Sequence, residues 1–481
     1  RVNGFVELGY QPFDVLNYQF DIVLTDASDV VQVKAKVTVR YDDQVPAVTV
    51  LDLASPSRET GMEINQLLVD ENKATYTHQA DVLKINTPSK INRGDTVDIV
   101  LSYSGIPDGG LVISQNTKGK RTFFAEHWPN SAHRWLPVID HPSEKATCEF
   151  IVTAPAKYSV VANGDKQKER NLGNGAKTTT WQMSRPISAK VMVIGVAEFR
   201  ATSLGDNEII TAWTYQSSGN QPVEVLSESP SIFNSLVKFL GDYPFSKCDQ
   251  VESTTRFGGM ENAGNIFYPE RGLDGASNID GIIAHEIAHQ WFGDAVTEAD
   301  WADLWISEGF ASYLSNYWVQ DTYGNDSLLA AIEVSENLVL EYQRENPEAT
   351  IVQKEFSQLN QLMNAMTYDK GAWMLRALAH KVGNDTFRQI VHTFYNRFKY
   401  KTASTQDFID VANEVALMDL NYFFQQWLYV AGSPSIVYSW KYEKGKLILD
   451  FEQKTDYIYQ LDVDIQVKYQ NMNFEYSNNV L

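Results

Sequence analysis

Cysteine is almost missing from this chain: Cys148 and Cys248 are the only two in 481 residues. Two thiols a hundred positions apart make no disulfide framework, so buried apolar surface has to hold the fold. Long hydrophobic runs are missing as well. No stretch approaches the ~18 apolar residues that a membrane-spanning helix requires, which excludes a transmembrane segment. Positive charge is scarce, with 40 Lys and Arg against 61 Asp and Glu and a net charge of −21. Such a surface repels nucleic acid and anionic membranes, and no basic cluster overrides it. Internal repeats and low-complexity segments are lacking too. The first residue is Arg1 rather than Met, so an upstream segment has been removed, a signal peptide being one possibility, and a soluble periplasmic or secreted location is expected ahead of a cytoplasmic one.

Apolar residues make up 43% and aromatics 12%, an ordinary globular balance, and the length calls for two or three domains. From residue 1 to 199, strand-like segments such as Tyr18 to Leu24, Val31 to Tyr41, Val97 to Tyr103 and Thr147 to Thr153 alternate with turns. From 200 to 432 the texture turns helical: Pro222 to Leu240, Trp373 to His380 and Asp407 to Tyr429 read as helices, with strands at Cys248 to Ser253 and Asn265 to Tyr268. Gly432-Ser433-Pro434 ends the last helix, and 433–481 reads as strands, enough for part of a small β sandwich. The predicted fold is multidomain α+β.

The stretch His285-Glu286-Ile287-Ala288-His289 carries the chemistry. On a helix, residues i and i+4 lie one above the other, so both imidazoles converge on one ion with a carboxylate beside it, the pattern of a zinc hydrolase. Ser277 and Asp280 resemble a capping pair, and Ile279, Ile282, Ile283 and Ile287 supply a buried side. Zinc needs a third protein ligand and an open fourth position. Glu308, on a second predicted helix from Trp305 to Tyr313, follows His289 after eighteen intervening residues and supplies that ligand. Glu286 is then placed to deprotonate a zinc-activated water. The other six histidines lack ligand spacing and read as structural or surface residues.

This spacing, with Trp291-Phe292-Gly293-Asp294 behind the first helix, resembles the M1 family of zinc aminopeptidases, gluzincins with a thermolysin-like catalytic domain. The resemblance implies a β saddle domain over 1–199, a thermolysin-like α+β catalytic domain over 200–432 and a short C-terminal β segment. It implies one zinc ion per chain held by His285, His289 and Glu308, with Glu286 as general base. It also makes two more motifs readable. Gly258-Gly259-Met260-Glu261-Asn262, on an expected edge strand, corresponds to the family's usual Gly-Ala-Met-Glu-Asn. There Glu261 would pair with a substrate's α-ammonium, Gly258 and Gly259 would let the peptide backbone lie close, and Met260 would wall the first side-chain pocket. Tyr368, in Tyr368-Asp369-Lys370-Gly371, would donate a hydrogen bond to the oxyanion.

One departure stands out. Where the family usually places a second amine anchor, a Gln or Glu ahead of an Ala-Arg-x-x-x-Pro stretch, this chain has Trp128, and Glu126 two residues earlier is the candidate to replace it. The implied function is a zinc-dependent aminopeptidase acting on peptides with a free N-terminus. Two alternatives carry less. A branch resembling leukotriene A4 hydrolase relies on a basic site in a C-terminal helical domain, for which 433–481 leaves no room. A catalytically silent binding scaffold would be expected to have lost Glu286 or a zinc ligand, and all are present.

Overall fold

The computed structural model describes residues 12–42, 44–206, 209–469 and 472–480, with side chains up to residue 463. Strict alternation builds the N-terminal domain: along Val31–Arg40 every second side chain is buried, from Val31 to Val39. This strand lies inside an eight-stranded sheet, between Asp14–Val23 and Thr96–Ile106, both antiparallel to it. Asp14–Val23 pairs parallel with Lys145–Pro155 on its other edge. A four-stranded sheet containing Arg121–Ala125 and Ile194–Ala197 and a three-stranded one around Val48–Asp52 complete the domain. Phe20, Phe124, Trp135, Phe150 and Val193 share its core.

Strand Phe199–Leu204 leaves this domain and opens the next sheet, pairing antiparallel with Ile210–Tyr215, which continues in parallel to Asp249–Ser253 and Asn265–Pro269. Helices pack on that sheet around a second core containing Ile283, Ile287, Trp291, Trp305, Phe310 and Leu375. Cys148 and Cys248 are both free and buried, one in each core. Beyond the helices come two hairpins, Ile436–Glu443 with Lys446–Gln453 and Leu461–Tyr469 with Met472–Val480. The mixed α and β content and its order agree with the sequence reading. Among the described residues no helix is long and apolar enough to cross a membrane.

Local differences have physical causes. The helix expected from Pro222 to Leu240 is two, Gln221–Val225 and Ser229–Leu240, with a tight 3₁₀ turn between and Pro230, which lacks an N–H, in the first turn of the second. Asp407 to Tyr429 also divides, into Thr405–Ala416 and Asn421–Leu428, because Leu417 turns left-handed at φ +52°. A long helix over Asn325–Glu345 went unread because few of its residues are buried, leaving only a weak apolar stripe.

Candidate metal centre and substrate site

The two histidines stand one turn apart on the helix Asp280–His289. Its N-cap, Ile279, provides no side-chain cap, so the expected Ser277–Asp280 pair does not form; in the turn before it Asn278 Oδ1 accepts from the Asp280 N–H at 2.9 Å, and Asn278 Nδ2 donates to Asp280 Oδ2 at 2.8 Å. Ile283 and Ile287 are fully buried as expected, whereas Ile282 is 39% exposed. Glu308 occupies the first turn of the helix Trp305–Tyr323, packed against the first.

The three side chains meet. His285 Nε2 and His289 Nε2 are 3.0 Å apart, and Glu308 Oε2 lies 3.3 Å from the former and 3.2 Å from the latter. Zinc ligands ~2.0–2.1 Å from a tetrahedral ion stand about 3.3 Å from one another, so the triangle has the right size. The tautomer fits too. His289 Nδ1 donates to the Phe292 carbonyl at 3.1 Å, which leaves the Nε2 lone pair facing the triangle.

Negative charge gathers here. Glu261, Glu286 and Glu308 are all nearly buried, and ligand atoms of Glu261, Glu286 and His289 lie within 4.8 Å of one another. Burial lowers the pKa of His289, but Glu308 and Glu261 outweigh it and lift the value to about 10. At His285 burial prevails and keeps the pKa below the ordinary one, as a neutral ligand requires. Burial, reinforced by Glu261 and Glu308 against the pull of His289, pushes Glu286 well above the usual carboxylate range. Glu308 is held below that range because His289 and His285 overcome the effect of burial.

Tyr368 reaches the site from a widened helical turn, Met366–Lys370, where the Lys370 N–H bonds the Ala365 carbonyl five residues back. Its ring stacks on His285, with centroids 5.9 Å apart and planes 9° from parallel. Burial, then the charges of Glu308 and Glu261, keeps the phenol protonated far above neutral pH. Two glycines make this approach short: a Cβ on Gly309, next to Glu308, would stand 3.2 Å from the Gly371 backbone. On the His285 side, a cleft of about 540 Å³ opens between Tyr368, Ser312, Leu338, Tyr342 and Met363.

Gly258 to Asn262 form a bent loop with one two-way backbone bridge, Met260 to Phe267, at 2.9 Å in each direction, rather than a full edge strand. Side chains complete its anchorage. Gln290, next to His289, donates to the Glu261 carbonyl at 2.7 Å and accepts from the Gly264 N–H at 2.8 Å, while Asn163 donates to the Ala263 carbonyl at 2.8 Å. The sequence reading missed both; a polar residue just past the histidine pair was the available signal for Gln290, and nothing local marked Asn163. Met260 is packed into the core shared with the N-terminal domain, 2% exposed. Glu261 is 5% exposed, and its Oε1 has no hydrogen-bond partner among the described residues.

The Trp128 region is also filled. Trp128 meets Trp301 edge-on at 6.0 Å, and the Lys190 ammonium sits 4.6 Å from its ring centroid. Glu126 is committed to Arg256: its Oε1 accepts from the main-chain N–H at 2.6 Å and its Oε2 from Nε at 3.2 Å.

A β saddle beside an α+β domain with a two-histidine, one-glutamate centre defines a gluzincin-type metallopeptidase fold. The Peptidase M1 N-terminal domain family matches residues 18–191 and the Peptidase family M1 domain matches 227–427, and the chain belongs to the M1 peptidase family. It is similar to glutamyl aminopeptidase of Rattus norvegicus, 25% identical over 75% of this chain and 41% of that one. Aminopeptidase 2 of Candida albicans is 24% identical over 88% of this chain and 48% of that protein. The chain thus spans less than half the length of these relatives. In fold it resembles the M1 zinc metallopeptidase from Deinococcus radiodurans, with a TM-score of 0.75 at 22% identity over 89% of this chain and 96% of that one. Yeast LTA4 hydrolase gives a TM-score of 0.77 at 18% identity over 89% of this chain and 69% of that one.

Proposed function

We propose that the protein is an aminopeptidase with one zinc ion per chain, removing N-terminal residues from peptides. The observation that carries this reading is the coincidence of a zinc-sized donor triangle with a buried, half-unsatisfied carboxylate. Glu261 Oε1 lacks a partner among the described residues, and such an atom calls for a positively charged donor. A peptide's α-ammonium is that donor, and an internal peptide bond has none to offer.

His285, His289 and Glu308 would hold the ion. Zinc, when bound, supplies Lewis acidity that makes water acidic enough to lose a proton near neutral pH and polarises a carbonyl. Glu286, beside the donor triangle, would take a proton from the attacking water and pass it to the departing amine. Tyr368 donates its hydroxyl proton in a hydrogen bond to the carbonyl oxygen as charge builds there. Gly258 and Gly259 leave the loop backbone open for the peptide to lie along, and the cleft on the His285 side receives the residues after the scissile bond. Glu126, the sequence's candidate for a second amine contact, would have to share its carboxylate with Arg256.

A panel of aminoacyl-arylamides, assayed with and without a strong chelator, tests the reading. Turnover that chelation abolishes and zinc restores is expected. Turnover indifferent to chelation, or efficient cleavage of N-acetylated peptides, overturns it. Neither alternative has an observation in its favour.

A further inference from the structure

We infer that Lys145 is a positioning residue for the zinc ligand His289: its ammonium locks the loop that aims this imidazole. The inference rests on the zinc site proposed above and adds to it a residue from the other domain. Lys145 opens the strand Lys145–Pro155 of the N-terminal sheet, yet its side chain ends among oxygens of the catalytic domain. Nζ donates to the main-chain carbonyls of Asp294 at 2.8 Å and Ala295 at 2.9 Å and to Thr297 Oγ1 at 2.9 Å, and the Lys401 carbonyl completes the cradle at 3.3 Å. The first three belong to the loop and short strand just past the zinc helix. Lys401 begins the strand Lys401–Ala403, paired in parallel with Val296–Glu298.

That loop lies directly against the imidazole. The Phe292 carbonyl accepts from His289 Nδ1 at 3.1 Å, with Ser307 Oγ a longer alternative at 3.3 Å. A Cβ on Gly293 would stand 2.9 Å from Nδ1, so no side chain separates loop from ring. The turn is also compact: the Gly293 N–H bonds the Val296 carbonyl at 2.8 Å, and the Asp294 N–H bonds the His289 carbonyl at 3.0 Å. Whatever moves Asp294 and Ala295 therefore moves Phe292 and Gly293 with them. Four oxygens with their negative ends on one point repel one another, and a cation at that point makes the arrangement favourable. Without the ammonium the carbonyls of Asp294 and Ala295 turn apart, and the Phe292 carbonyl loses its aim on Nδ1. Groups that orient a metal-binding histidine through its other nitrogen are worth about 10-fold to 10²-fold in metal affinity or activity.

Lys145→Met keeps the apolar stem of the side chain and removes the ammonium. The experiment compares it with wild type at a temperature where circular dichroism shows both folded. Zinc affinity is read by competition with a chromophoric chelator, ligand geometry by the visible spectrum of the cobalt-substituted protein, and kcat and KM on one aminoacyl-arylamide. Zinc binding about 10-fold weaker, a shifted cobalt spectrum and a lower kcat at unchanged KM are expected. In Lys145→Ala, added propylammonium should restore zinc affinity, and sodium at the same ionic strength should not. Lys145→Gln returns two hydrogens without the charge; it should fall between Lys145→Met and wild type, and it carries the test if Lys145→Met does not fold. Wild-type zinc affinity and cobalt spectrum in a folded variant would make Lys145 a mere tie between domains and overturn the proposal. Sodium rescuing as well as propylammonium, or failure of every variant to fold, would overturn it too. Zinc affinity needs no peptide cleavage, so a wild-type protein that holds zinc and cleaves no arylamide would count against the aminopeptidase reading and leave this test standing.

Discussion

Lys190 and Glu298 form an ion pair whose side chains are 2% and 0% exposed, joining the N-terminal domain to the short strand Val296–Glu298 behind the metal centre. Removing one partner strands the other charge in the core. Lys190→Met should therefore destabilise the protein by about 3–5 kcal/mol, measured by denaturant or thermal unfolding. Lys190→Met combined with Glu298→Met should recover much of the loss. A single variant that unfolds like wild type would show that the pair contributes nothing.

Glu286→Gln keeps the shape of the side chain and removes its basicity. The variant should bind zinc at the wild-type ratio and lose nearly all turnover. Substantial remaining kcat would assign the proton transfer to another group.

Tyr368→Phe removes one oxyanion donor and leaves the stacking on His285. A fall in kcat of about 10² to 10³ is expected, larger than any change in KM. A rise in KM at constant kcat would make Tyr368 a binding residue.

Glu261→Ala should lower kcat/KM for substrates with a free amine by the equivalent of about 1.5–3 kcal/mol, a charged hydrogen bond. Acetylating the substrate amine should do the same to the native protein. Glu126→Ala should have a smaller effect, since its carboxylate already serves Arg256. An equal or larger loss for Glu126→Ala would show that it holds the amine directly.

His127 makes stability depend on pH. Its Nδ1 donates to the Ala189 carbonyl at 3.1 Å and its Nε2 accepts from the Trp135 indole at 2.9 Å, so the neutral ring is fully satisfied. Burial lowers its pKa from 6.5 to about 4. The unfolded chain takes up a proton that the native state refuses, so this contribution is complete above the unfolded value and is lost as pH falls through the folded one. It amounts to at most about 3 kcal/mol. In urea unfolding, His127→Gln should flatten the pH dependence between 6.5 and 4. The same slope in both proteins would remove His127 from this role.

The centre was legible in the sequence because its logic is local. Two histidines four apart on a helix must share a face, and Glu308 needs only one further helix folded back on the first. Strand alternation in the N-terminal domain was readable for a similar reason, with one face of each strand buried. What escaped depends on partners distant along the chain. Glu126 and Arg256 are 130 positions apart, so no local pattern could show that the carboxylate was already engaged. The same holds for Asn163 and Ala263, a hundred positions apart. The bent loop around Met260 was expected as an edge strand from its motif and not from its residue types, since Gly, Glu and Asn are poor strand formers, and its single bridge to Phe267 is a tertiary fact.

The widened turn at Met366–Lys370 makes the aim of Tyr368 a matter of counting. Each residue advances an α-helix by about 100°, so one residue fewer in that turn would restore regular winding and swing the phenol about a quarter-turn off the histidines. Two chains alike in every other residue could thus differ in turnover through a deletion of one codon, with no change in fold or metal ligands to betray it.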